Sequence, residues 1–350
     1  MDLNPLQTKK ISLNKTKIHQ TFPIISRHIV DWFNLNGRHD LPWRKNVTPY
    51  RIWISEVMLQ QTQVKTALPY FQKFMGKYPT LKKLSLANED EILAAWSGLG
   101  FYRRARNIFA TKEIIKNTYN NIFPKTFESI LSLPGIGRST AGAILSLAYN
   151  EATPILDGNV KRVISRIIKK DQATIKEKEF WELSTQLVNH KYAFSFTQGV
   201  MDLGATVCSP SNPNCTQCPI KIECESAFKV KPQVKLARKD TKKVVSIEFA
   251  LFQTSAAVLL SKNIEGSIWN NLWLPFERMA LQNMEDEVTY MEQIKMTHEL
   301  THRTFKLTFH IFKSSKQFKP RTNQQYEWVK KDRIEFYGMP KPITKVISQL

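Results

Sequence analysis

Cysteine is scarce in this chain. Four occur among 350 residues, and all of them fall between Cys208 and Cys224. A disulfide framework spreads its cysteines along an exported chain, whereas this one opens Met1-Asp2-Leu3-Asn4-Pro5, with neither the basic stretch nor the apolar core of an export signal. The expectation is a metal site in a cytoplasmic protein. Long apolar runs are missing too: nothing approaches the ~18 consecutive apolar residues of a membrane-spanning helix, so no membrane partner is expected. Acidic residues are few, 30 Asp+Glu against 51 Lys+Arg, which leaves a net charge of +21. Such a surplus gathers polyanions and suits phosphate contacts, pointing to nucleic acid, although general solubility is the plainer reading. Apolar material is present in ordinary amount, 42% hydrophobic and 11% aromatic, enough for packed cores and against disordered or fibrous architecture. At ~150 residues per domain the length suggests two.

Residues 1–22 are polar with scattered Lys and read as a loose extension. Residues 23–228 carry apolar side chains at three- and four-residue spacing and read as helical nearly throughout. Thr48-Pro49 predicts a helix start, and Arg51–Phe74 continues as one helix bent at Pro69. Asn88–Trp96, Tyr102–Ile115 and Asn159–Ile168 are further helix candidates. Residues 229–243, KVKPQVKLARKDTKK, hold seven Lys/Arg and one Asp and read as a basic linker. Beyond it Val244–Leu260 is β-rich, Glu265-Gly266-Ser267 reads as a turn, and Thr304–Phe312 alternates as a half-buried strand does. Residues 244–350 are therefore expected to form an α+β domain.

Leu133-Pro134-Gly135-Ile136-Gly137-Arg138-Ser139-Thr140-Ala141-Gly142 lies between two helix-patterned stretches. Paired glycines let the backbone turn tightly and come close to a ligand, and the amides opening the next helix can then meet a phosphate. The pattern resembles the helix-hairpin-helix of DNA repair proteins; an ordinary tight turn between helices is the alternative. The cysteines are spaced C-x6-C-x2-C-x5-C: Cys208, Cys215, Cys218 and Cys224. Four thiolates in one short loop can wrap a compact centre, and zinc also accepts four Cys, usually as two separated C-x2-C pairs. The spacing resembles the iron–sulfur loop of the endonuclease III superfamily, which implies a 4Fe-4S cluster ordering a loop that carries the basic Lys221.

Four further segments are more specific: Leu41-Pro42-Trp43-Arg44, Trp53 to Val64 (WISEVMLQQTQV), Gly98-Leu99-Gly100-Phe101-Tyr102, and Pro154 to Arg162 (PILDGNVKR). Together they resemble the adenine DNA glycosylase family over about residues 24–228, and the C-terminal third does so more loosely. The resemblance implies a mainly α N-terminal helix-hairpin-helix glycosylase domain with an iron–sulfur loop, followed by a Nudix-like α+β domain. It also implies a monomeric base-excision-repair enzyme, nucleoid-associated if bacterial, removing adenine mispaired with 8-oxoguanine or G in double-stranded DNA.

Breaking a glycosidic bond to a poor leaving group needs protonation of the base and negative charge near the oxocarbenium-like sugar, a task for two carboxyls in different roles. By resemblance Glu56 is the acid. On a helix it shares a face with Ile52, Leu59, Gln60 and Gln63, a setting that raises a carboxyl pKa by desolvation. Asp157 is the second carboxylate, with Asn159 beside it; it also precedes a helix and reads equally as its N-cap. Related enzymes with lyase activity carry a Lys in the hairpin, where this chain has Ser139, so simple hydrolysis is expected. Gly135, Gly137, Arg138, Ser139 and Thr140 fall at DNA-contacting positions of the hairpin. Arg44 matches a pocket residue, and Gln61 and Phe101 match the side chains that fill the gap left by the flipped base. The family usually has Tyr at the position of Phe101.

In the C-terminal third the turn Ile268–Pro275 has Asn270-Asn271 where the family usually pairs glycines. No acidic box for Mg²⁺ is present, so pyrophosphatase activity is not expected. The lesion-reading loop aligns with Leu300-Thr301-His302. Two other readings stay open. A pyrimidine glycosylase with lyase activity is opposed by Ser139. A non-catalytic DNA-binding iron–sulfur protein is opposed by the retention of Glu56 and Asp157 in their motifs.

Overall fold

No glycine precedes Gly37, and the chain forms helix α1 from Pro5 to Asn36 with Pro23 inside it. The extension expected to be loose is thus helical from Pro5 onward: Leu, Gln and Lys are good helix formers, and no glycine interrupts them. The computed structural model describes residues 5–230, 242–263, 268–277, 288–300, 303–320 and 322–350. The turn expected at residues 265–267 and most of the basic linker lie outside the described residues. After α1 come α2 (Pro49–Leu59), α3 (Val64–Lys77), α4 (Leu81–Leu84), α5 (Glu89–Ala95) and α6 (Arg103–Thr118). These are followed by α7 (Phe127–Leu131), α8 (Arg138–Tyr149), α9 (Gly158–Ile167), α10 (Glu177–Leu187), α11 (Ala193–Asp202) and, at the C-terminus, α12 (Lys341–Ile347). Among the described residues no helix is long and apolar enough to cross a membrane.

The expected helix over Arg51–Phe74 is broken. α2 stops at Leu59 and α3 starts at Val64, with Pro69 inside α3. Gln61 between them has φ 55°. A left-handed residue cannot continue a right-handed helix, and the polar run Gln60-Gln61-Thr62-Gln63 has no apolar face to anchor one. The other starts follow their caps. Thr48 accepts from the Arg51 amide, and Asn88 and Glu91 form a reciprocal capping box at α5.

The chain divides into two compact units, Met1–Val64 with Ile114–Ala237, and Lys65–Glu113 with Arg238–Leu350. In the first, α1 packs on α11, and α8 on α2 and α11. Ile25, Ile29, Phe33, Ile52, Trp53, Ile144, Leu145 and Val200 are buried there. Close approach needs glycine at two places. A Cβ on Gly199 would stand 2.8 Å from Ile29 Cγ2, and one on Gly142 would stand 2.4 Å from the Pro154 carbonyl oxygen.

The second unit holds a mixed sheet of β1 (Lys243–Gln253), β2 (Ala257–Lys262), β3 (Trp273–Leu274), β4 (Phe276–Glu277), β5 (Val288–Glu299), β6 (Arg303–Ser314) and β7 (Tyr326–Lys330). The order is β3-β2-β1-β6-β5, with β4 paired to β1 and β7 to β2. β1 and β6 run parallel and put Phe249 opposite Phe309, their rings stacked with centroids 5.3 Å apart. Side-chain alternation sends Phe249 and Leu251 into the core under α12, and Ala250 and Phe252 into a smaller cluster on the other face. Within this unit Lys262 pairs with Asp90 at 2.8 Å, and Ser97 donates to the Met339 carbonyl at 2.8 Å.

The Gly142–Pro154 contact generates a prediction. Backbone cannot yield to a methyl group as a flexible side chain can, so Gly142→Ala should destabilise the protein by about 1–3 kcal/mol. Thermal unfolding would show this as a fall of a few degrees, and an unchanged midpoint would refute the close packing.

Candidate active site

Glu56 projects from the third turn of α2, a helix whose Ile52, Ser55, Val57 and Met58 are buried. The residue as a whole is half-buried in this setting. Burial first, and then repulsion by the Asp157 carboxylate, push its pKa from 4.5 up to about 7, while the Arg44 guanidinium pulls it partly back. Three groups from separate stretches of the chain therefore share one electrostatic neighbourhood.

Asp157 is the N-cap of α9: its Oδ1 accepts from the Val160 amide at 2.7 Å. Its Oδ2 accepts from Asn159 Nδ2 at 3.2 Å. Cap and site residue thus coincide in one carboxylate. Asn159 Oδ1 accepts in turn from Arg162 Nη2 at 2.8 Å, and the same guanidinium donates to the Gly204 and Cys208 carbonyls at 2.7 and 2.9 Å. Gly204 belongs to a π-helical turn, Leu203–Val207, and a Cβ on it would stand 2.7 Å from Asn159 Cβ. Arg162 was legible only as the end of a motif, although its three-residue spacing from Asn159 puts both on one helix face. Ser139, at the hairpin position where lyases carry an amine, accepts from the Leu156 amide at 2.9 Å and so braces the segment leading into Asp157.

Arg44 is held from the other side by Asp202, which sequence reasoning did not single out. Arg44 Nη1 and Nη2 donate to the two Asp202 oxygens at 2.7 and 2.8 Å, and the Arg38 amide and Nε add bonds of 3.0 and 2.9 Å. Burial alone would push the Asp202 carboxyl up, but these bonds from Arg44 and Arg38 hold it below the usual range. No local pattern reveals such a group: its partners lie 158 and 164 residues away.

The hairpin turns at Gly135, with φ 77°, and Gly137 opens α8 without a side-chain cap. Arg138 is exposed at the first position of α8, its guanidinium 4.0 Å from the Trp181 ring centroid, and Ser139 and Thr140 follow in the same turn. Gln60 Nε2 donates to the Gly135 carbonyl at 3.3 Å, while Gln61 is exposed.

In the second unit Phe101 stands 49% exposed at φ 49°. It lines a cleft of about 590 Å³ together with Leu300, Trp269, Asn270 and His298, and with the cationic side chains of Arg103, Arg106, Arg303 and Lys341. Phe101 and Leu300, far apart in sequence, are thus brought to one cleft. Thr301 and His302 lie outside the described residues.

All four cysteines line one small cavity, together with Arg166. Burial first, and then the neighbouring thiols, push Cys218 up to about 12 and raise Cys224. Arg166 Nη1 stands 3.2 Å from Cys208 Sγ. The four are unpaired as disulfides, and among the described residues no three His, Cys, Asp or Glu converge on a position for a single ion.

This arrangement of hairpin and capped carboxylate belongs to a known class. The model of the HhH-GPD superfamily of base excision DNA repair proteins matches residues 54–187, and that of the NUDIX domain matches residues 248–349. The chain belongs to the adenine DNA glycosylase family. It is 37% identical over 344 residues to the adenine DNA glycosylase of Buchnera aphidicola subsp. Schizaphis graminum, covering 94% of this chain and 99% of that one. To the human adenine DNA glycosylase it is 39% identical over 221 residues, 60% of this chain and 40% of that one. Among solved structures, a thermostable thymine-DNA glycosylase matches with a TM-score of 0.56 at 28% identity, covering 60% of this chain and 98% of that one. A DNA complex of endonuclease III, at 21% identity and a TM-score of 0.51, shares the fold.

Gly204 offers a local test of the site. A methyl group there must push Asn159 away from Asp157, so Gly204→Ala should slow single-turnover base release by about 10- to 100-fold while leaving DNA binding nearly intact. Wild-type turnover in that variant would show that the position of Asn159 does not matter.

Proposed function

We propose that the chain hydrolyses the N-glycosidic bond of adenine mispaired with 8-oxoguanine or G in double-stranded DNA, acting as a monofunctional glycosylase in base excision repair. The observation that carries this reading is a carboxyl with a pKa of about 7 beside a second carboxylate. At neutral pH Glu56 is divided between its protonated and ionised forms. It can therefore give a proton to the departing adenine and afterwards take one from the attacking water. Asp157, held by the Val160 amide and by Asn159, supplies the negative charge that steadies the developing sugar cation or traps it briefly. Arg44 lines the adenine pocket. No amine stands at the Ser139 position, so the abasic site is left uncut.

Residues 23–228 are assigned the glycosylase role and 244–350 the reading of the lesion, joined by the basic stretch 229–243. The hairpin residues Gly135, Gly137, Arg138, Ser139 and Thr140 meet the DNA backbone, with Gln61 and Phe101 as the gap-filling side chains. Leu300, Thr301 and His302 read the base opposite adenine. A monomer working on DNA in the cytoplasm, at the nucleoid if bacterial, suits the net positive charge.

Cys208, Cys215, Cys218 and Cys224 are assigned to a 4Fe-4S cluster. The residues fit such a group: four thiols around one cavity with a guanidinium at one sulfur suit an anionic cluster. Bound there, the cluster would supply structural order and no step of the hydrolysis. Arg166 and Arg162 tie its loop to α9.

In single-turnover assays, duplexes with A:8-oxoguanine and A:G should yield strand breaks only after alkali, and A:T duplexes none. The rate should fall about tenfold per pH unit above pH 7, because the raised pKa leaves progressively less protonated Glu56. Glu56→Gln should cost about 10²–10⁴-fold in base release with binding retained. Breaks without alkali at an oxidised pyrimidine would favour a lyase, and full activity of Glu56→Gln would remove the acid from its role. Cys215→Ser should lose iron and DNA affinity together; zinc in the wild-type protein, or affinity that survives metal loss, would overturn the cluster assignment.

A further inference from the structure

We propose that Arg104 is a positioning residue that holds the Phe101 ring in its exposed, left-handed pose, ready to enter the DNA stack. This rests on the reading of Phe101 as a gap-filling side chain. The loop Gly98–Tyr102 takes positive φ three times: 91° at Gly98, 77° at Gly100 and 49° at Phe101. The glycines adopt this freely, whereas an aromatic residue does so only where its surroundings impose it. A half-exposed ring supplies little packing of its own, so the restraint must come from beneath.

Arg104 supplies it. The residue is 6% exposed, and its guanidinium carbon lies 5.2 Å from the Phe101 ring centroid and 5.3 Å from that of Trp96. Trp96 is fully buried, so the cation sits between a surface ring and a core ring. Arg104 Nη2 and Trp96 Nε1 both donate to the Gly100 carbonyl, at 3.3 and 3.0 Å, which fixes the peptide that aims Phe101. On the far side of the loop the Tyr102 hydroxyl accepts from the Gly98 amide at 3.2 Å and donates to the Met339 carbonyl at 2.7 Å. Burial lowers the Arg104 pKa to about 10, so it stays charged at neutral pH. An aliphatic side chain would fill the same space without desolvating a charge. What a planar cation adds is stacking on both rings together with a donor to the carbonyl between them. A ring already held in its bound pose loses less freedom on meeting DNA, which is a gain in affinity by preorganisation.

A double-mutant cycle on the full chain, loaded with its metal, tests this. The probe is an A:8-oxoguanine duplex with 2-aminopurine beside the mismatch, read as affinity and as fluorescence on unstacking. Phe101→Ala should weaken binding by about 10- to 100-fold and suppress the fluorescence rise. Arg104→Met should produce a smaller loss of the same kind, and no further loss when added to Phe101→Ala. Losses that multiply would mean that Arg104 acts apart from Phe101, and the inference would fall. An unchanged Phe101→Ala would instead sink the wedge reading itself. Should Arg104→Met yield no folded protein, Arg104→Lys keeps the charge and loses the planar stack. It should show part of the same non-additive loss, and wild-type behaviour would overturn the proposal.

Discussion

Burial of one carboxyl group, Glu56, is the constraint on which the candidate site turns. An ionised Glu56 at that position must give up water, at a cost that Arg44 offsets only in part, and the remainder appears as a pKa near neutrality. The surrounding charges then alternate. Asp157 raises the proton affinity of Glu56, Arg44 lowers it, Asp202 holds Arg44 with two hydrogen bonds, and Arg38 shares the load on Asp202. For the acid role proposed for Glu56, a carboxyl raised much further could not lose its proton to restart the cycle, and one left at its ordinary value would have none to give. The chain of four further residues balances those two failures. It does so with groups that are themselves paired, and a lone buried arginine beside the acid would not serve.

The second carboxylate shows how local structure and chemistry share a residue. Helix starts leave amides in need of an acceptor, and Asp157 meets one of them while its other oxygen takes a bond from Asn159. Capping therefore orients the group, since both oxygens are directed by donors fixed in the backbone or in the next turn. From Asn159 the bonds run on through Arg162 to the carbonyl of Cys208. The cysteine loop and the Asp157 carboxylate are thus mechanically continuous within the first unit. The π-helical turn at Leu203–Val207 brings the Gly204 backbone against Asn159, which is why a residue without a side chain stands there.

The residues proposed for the site fall in short motifs, which is how the sequence offered them: Glu56 in its helix, Asp157 with Asn159, the hairpin glycines, and the cysteine spacing. What escaped was of two kinds. Single-residue backbone reversals do not register in hydrophobic periodicity, so Arg51–Phe74 read as one helix although Gln61 breaks it. Long-range polar partners do not register in local pattern at all, and Asp202 and Arg38 became visible only in three dimensions. The same holds for the sheet. Alternation in Thr304–Phe312 marked a strand, but nothing local indicated that β6 would run parallel to β1. The grouping of Lys65–Glu113 with the C-terminal residues likewise follows from contacts such as Lys262 with Asp90.

Two of the residues at positive φ carry side chains that the proposed function uses. Gln61 and Phe101, one in each unit, are non-glycine residues at positive φ, and both are exposed. An exposed side chain gains little from packing, so folding stability gives no reason for either to occupy an unfavourable backbone region. The supports differ. Gln61 follows Gln60, whose amide donates to the hairpin carbonyl of Gly135, while Phe101 rests on Arg104, which in turn lies against Trp96. In each case a neighbour with ordinary packing holds a residue without it. If these side chains enter DNA as proposed, a loop free to relax would have to be reordered at every encounter with DNA. On that reading, holding them out in the free protein would move the ordering cost from binding to folding, where the cores of the two units can offset it.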